Sequence, residues 1–197
     1  MKFIRIGYKI IIILAVFFTL NQGVAFALDD GFGQARKIQG QHFAIYYAPQ
    51  LEVTNLAQQL NIRSSDKLLA GRSTEKKDSY ELELADMVDT LFAQICDILD
   101  MQLYSFQGNI KICQDYNQMN RIYNNLFDKD LMNQRAFYVY SLNTVYISTE
   151  NFKREILGHE IGHAIISHYF VVLPSVKVQE VLATYVEYQL RRIGKSE

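Results

Sequence analysis

The chain is 197 residues long, with 20 lysines and arginines against 21 aspartates and glutamates. A chain without a basic patch is a poor match for a nucleic-acid partner. Two cysteines, Cys96 and Cys113, are too few for a disulfide scaffold.

The N-terminus reads as a leader. Lys2, Arg5 and Lys9 form a basic region, and residues 10–20 are apolar apart from Thr19. Ala25-Phe26-Ala27 then sets small residues at the two positions a signal peptidase reads. The apolar run is short for a membrane span, and Asn21-Gln22-Gly23 closes it. Residues 1–27 are therefore expected to be a secretory signal cleaved after Ala27. This implies a periplasmic or secreted protein with no stable membrane insertion; an uncleaved anchor is the alternative. No cysteine follows the apolar run, so a lipid-modified terminus is not expected. Without the leader the net charge is 17 − 21 = −4. Residues 28–197 are expected to form one domain, able to bury close to ~70% of its unfolded surface. Thirteen tyrosines and twelve phenylalanines supply core material in the absence of tryptophan.

Residues 51–60 suggest a short helix, and residues 61–79, with Ser64-Ser65, Gly71 and a charge cluster, an exposed loop. Leu84, Val88, Leu91, Phe92, Ile95 and Leu99 trace an amphipathic helix over residues 80–101. Residues 109–113 read as a strand and 117–127 as a helix. Residues 137–140 and 144–148 read as two strands joined at Ser141-Leu142-Asn143, one of them placed to border a cleft and pair with an extended peptide. Cys96 falls on a helix and Cys113 on a strand. One bridge between them is permitted, with two buried or half-buried thiols as the default. Strands alternating with helices before a helical C-terminal half give an α+β domain, a small mixed sheet packed on helices.

Residues 151–170 form a proline-free helical pattern with Thr149 near its start and Pro174 barring extension beyond Leu173. Inside it lies His159-Glu160-Ile161-Gly162-His163. Residues four apart share a helix face, so both imidazoles can ligate one Zn²⁺ while Glu160 beside them serves as general base. Gly158 and Gly162 would let a strand or substrate approach the backbone. A third ligand is needed, and no aspartate follows His163; the acids there are Glu180, Glu187 and Glu197. His168, nine residues from His159, falls about 180° around the helix and reads as a hydrogen-bonded core histidine. A turn over residues 172–176 and a second helix over residues 177–192 would return Glu180 to roughly the depth of the histidines. Glu187, two turns further, would overshoot. The competing reading of Glu180 is a solvated carboxylate on a face shared with Thr184, Glu187 and Arg191.

Gly158 to Arg192 resembles the active-site half of the gluzincins, zinc metallopeptidases of the His-Glu-x-x-His…Glu type, and in particular the small minigluzincin or peptidase MA-like members. Glu180-Val181-Leu182-Ala183-Thr184-Tyr185 matches their Glu-x-x-Ala-x-Tyr segment, and Phe43-Ala44-Ile45-Tyr46-Tyr47 resembles their opening strand. The match between residues 51 and 148 is one of general outline only. The resemblance implies a zincin-like fold with Zn²⁺ on His159, His163 and Glu180. Thr184 stands where some gluzincins carry an aspartate behind a zinc histidine, and Val181 where glycine is common.

The function expected is zinc-dependent hydrolysis of peptide bonds in an extracytoplasmic peptide or protein, with Glu160 as base. A tyrosine or histidine is implied as oxyanion donor. Tyr185 is the nearest in sequence, though it fits a core position equally well. The alternatives are a gluzincin-like zinc-binding domain that does not turn over, and an exported structural domain whose histidine pair is coincidental.

Overall fold

The computed structural model describes residues 30–62 and 79–196. The leader and most of the expected loop over residues 61–79 lie outside the described residues. Five strands form one mixed sheet: β1 (Arg36–Gln39), β2 (Phe43–Tyr47), β3 (Gly108–Cys113), β4 (Ala136–Val139) and β5 (Thr144–Ser148). Their order is β1-β2-β3-β5-β4, with β2, β3 and β5 parallel and the two edge strands antiparallel to their neighbours. Five helices complete the domain: α1 (Val53–Leu60), α2 (Ser79–Leu99), α3 (Tyr116–Phe127), α4 (Arg154–Tyr169) and α5 (Val176–Ser196). The α+β expectation holds. Among the described residues no helix is long and apolar enough to cross a membrane.

The central strands are apolar on both faces because both are covered. One face carries Ile45, Ile110, Ile112, Val145 and Ile147, which share a core with α1, α2, α4 and α5. The opposite face carries Cys113, Phe137, Val139 and Tyr146, packed with Met119 and Ile122 of α3. Cys96 belongs to the first core and Cys113 to the second, so the two are separate buried thiols.

Local signals explain several boundaries. Asp115 caps α3 by accepting from the Gln118 amide at 2.7 Å. Asn143 takes the left-handed conformation, φ 45°, in the turn between β4 and β5, where asparagine is better tolerated than most residues. Its side-chain amide donates to the Gln107 carbonyl at 2.6 Å, tying that turn to the segment before β3. The motif helix starts three residues later than the expected residue 151. Thr149–Asn151 is a 3₁₀ turn, and α4 begins at Arg154 with no side-chain cap on Lys153.

Candidate functional site

The helix pair α4–α5 builds the site. Their facing residues run in opposite directions: Gly158 meets Leu190, Gly162 meets Ala183 and Val186, and His163 meets Glu180. The helices are therefore antiparallel, as the short connection and Pro174 led one to expect. The close approach that Gly158 and Gly162 permit is made by α5, not by a strand or substrate. A Cβ on Gly158 would stand 2.1 Å from Leu190 Cδ1. On α5 the inward stripe is Ala183, Val186 and Leu190, all buried. Glu180 and Glu187 lie three residues before Ala183 and before Leu190, so both reach towards α4.

His159, His163 and Glu180 each offer a ligand atom, and these atoms lie within 4.8 Å of one another. The two imidazole Nε2 atoms are 3.2 Å apart. Glu180 places Oε1 3.4 Å from His163 Nε2 and Oε2 3.7 Å from His159 Nε2. Tetrahedral Zn²⁺ with ligands at about 2.0–2.1 Å separates any two of them by roughly 3.3 Å. Two imidazoles and a carboxylate at these spacings are a donor set such an ion fits. Burial and the neighbouring His159 hold His163 well below the usual imidazole range, against the opposing pull of Glu180. That favours the neutral ring a metal ligand must be.

Glu160 points into the same cleft and is nearly inaccessible to solvent. Burial, with the charges of Glu180 and Glu187 adding to it, pushes its carboxyl up to about 8, while the Tyr138 backbone amide and Arg135 pull the other way. The cleft has a volume of about 500 Å³. One wall is edge strand β4 with Ala136, Phe137 and Tyr138, so the expected strand at the cleft is β4. Tyr140 also lines it, whereas Tyr146 is buried on the far side of the sheet and donates to Asp30 at 2.5 Å.

Three readings of single residues need correction. His168 is exposed rather than in the core. Its Nδ1 lies 2.9 Å from the Ala164 carbonyl, and its ring rests against Phe106 and Tyr140. Tyr185 is exposed and outside the cleft, so it is neither a core residue nor placed to donate there. Glu187 does not simply overshoot. Its Oε2 stands 3.5 Å from His159 Nδ1, a buried nitrogen with no aligned hydrogen-bond partner. Glu187 is itself held by Arg191 at 2.6 Å and by Arg135 at 3.3 Å. Thr184, by contrast, is exposed. The carboxylate behind the first histidine thus comes from two turns beyond Glu180 instead of one. Its sequence signal was the spacing of seven, which returns a side chain to the same helix face.

Compared with family models, with curated proteins and with solved structures, the chain matches none.

Proposed function

We propose that this protein is a zinc metallopeptidase of the gluzincin type, with a zincin-like fold, acting on a peptide or protein outside the cytoplasm. The observation that carries the reading is the convergence of His159, His163 and Glu180 beside a buried glutamate in an open cleft. These three residues would hold Zn²⁺, which when bound supplies a Lewis acid for the scissile carbonyl and lowers the pKa of a water to about 7.

The chain's own groups would do the rest. Glu160 would take a proton from the attacking water on its carboxylate and return it to the leaving amine nitrogen. Edge strand β4 runs along the cleft, and an extended peptide could add beside it as a further strand, next to the Tyr138 amide that faces Glu160. Glu187 would orient His159 through Nδ1, the part the missing aspartate at position 184 would otherwise take.

The experiment is cleavage of a broad peptide library by zinc-loaded protein. Cuts that disappear on chelation and return with zinc are expected. A protein that binds zinc but leaves the whole library intact would instead be a binding domain.

A further inference from the structure

The connection between α4 and α5 is an apolar tip. Tyr169, Phe170, Val171, Val172 and Leu173 are all exposed, Val171 fully so and Val172 to 81%. Val176 and Val178 continue the exposure along the start of α5. His168 anchors the base of this tip against Phe106 and Tyr140, with ring centroids at 5.0 and 5.4 Å. The loop before β3 and the turn between β4 and β5 therefore meet at the same end, and they add Tyr104 and Tyr140, each more than half exposed. Consecutive apolar side chains in water are a cost unless something covers them.

Two features choose the covering partner. The first is composition. The tip carries valines and a leucine, with tyrosines and a phenylalanine beside them. Amphipathic rings beside aliphatic side chains suit the boundary between headgroups and acyl chains. The second is charge. No acidic residue occurs between Glu160 and Glu180, and Lys177 is the single lysine or arginine in that span. The β4–β5 turn adds no charge, and the loop before β3 adds only Asp100. In a protein with more acidic than basic residues elsewhere, the span 161–179 that carries the tip thus holds no acid and one cation, Lys177.

We propose that residues 169–173 enter the headgroup region of an anionic lipid bilayer, with Lys177 meeting the lipid phosphates. The cleft reaches the base of the tip through Tyr140, Ser167 and Gln179, so docking would hold it beside the lipid surface. The inference does not depend on the metal or on turnover.

The test is a fluorophore sensitive to polarity, attached in the full chain at Val172→Cys. Cys96 and Cys113 are buried and stay unlabelled while the protein is folded. Vesicles of mixed phosphatidylcholine and phosphatidylglycerol should shift the emission to the blue. A label at Glu52→Cys, beside α1 at the opposite end of the sheet, should not respond. Val171→Asp should abolish the shift, and Lys177→Ala should raise the lipid needed by about fivefold. No shift at position 172, or an equal shift at position 52, overturns the proposal. A blue shift that grows with protein concentration in the absence of lipid also overturns it, in favour of a second copy on the tip.

Discussion

Glu187 stands behind His159: its Oε2 lies 3.5 Å from Nδ1, while Nε2 of the same ring faces Glu180 at 3.7 Å. A carboxylate at Nδ1 fixes the tautomer that leaves Nε2 free to ligate and raises its basicity. Glu187→Ala is expected to weaken zinc binding about 10–100-fold, measured by competition with a chromophoric chelator. Glu187→Gln, which keeps an acceptor there, should lose less. Unchanged affinity in Glu187→Ala would remove this residue from the centre.

Glu160 is close to the three candidate ligands but is not one of them. Glu160→Gln should therefore keep the metal while cleavage falls by about 10²–10⁴-fold, the usual contribution of a positioned base. Zinc content and initial rates on one cleaved peptide check this together. A variant that cleaves like the wild type would assign the base elsewhere.

The spacing of α4 and α5 depends on Gly158, where a methyl group would collide with Leu190. Leu190 is buried, so it has little room to yield. Gly158→Ala should cost about 1–3 kcal/mol in denaturant unfolding, the range for overpacking a core. It should also weaken zinc binding, because forcing the helices apart carries Glu180 away from the histidines. Adding Leu190→Ala should restore part of that affinity, and a double-mutant cycle gives the coupling. Additive effects would show that the two side chains do not meet.

Asp30 ties the start of the described chain to the sheet. Its carboxylate takes the Lys111 ammonium and the Tyr146 hydroxyl, and accepts from the Phe32 amide at 3.0 Å. Burial alone would raise its pKa, but Lys111, Tyr146 and Phe32 together bring it below the ordinary value of 3.8. A carboxyl depressed on folding adds stability above its unfolded pKa and loses it as pH falls through the folded one. Unfolding free energy should therefore drop below about pH 4 in the wild type, and less steeply in Asp30→Asn. Identical acid profiles would exclude a role for this cluster in acid unfolding.

Much of this organisation is legible in the sequence because periodicity reports burial. The stripe Leu84, Val88, Leu91 and Ile95 located α2, and Pro174 between two helical patterns implied the antiparallel pair. Strand β1 was missed for the converse reason. Of Arg36, Lys37, Ile38 and Gln39 only Ile38 is buried, so an edge strand leaves almost no apolar alternation to read. Glu187 was misjudged because spacing places a residue on a face without saying what that face meets. A carboxylate pointing at a neighbouring helix and one pointing at water have the same periodicity. Gly158 and Gly162 announced a close approach, but only the packing of Leu190, Ala183 and Val186 identifies what approaches.

The most direct measurement is the zinc content of purified protein, titrated after complete removal of metal. One zinc per chain is expected for the wild type, with binding abolished or severely weakened by Glu180→Ala and by His163→Ala. Protein that takes up no zinc, or binds it equally well without the Glu180 carboxylate, would contradict the account at its centre.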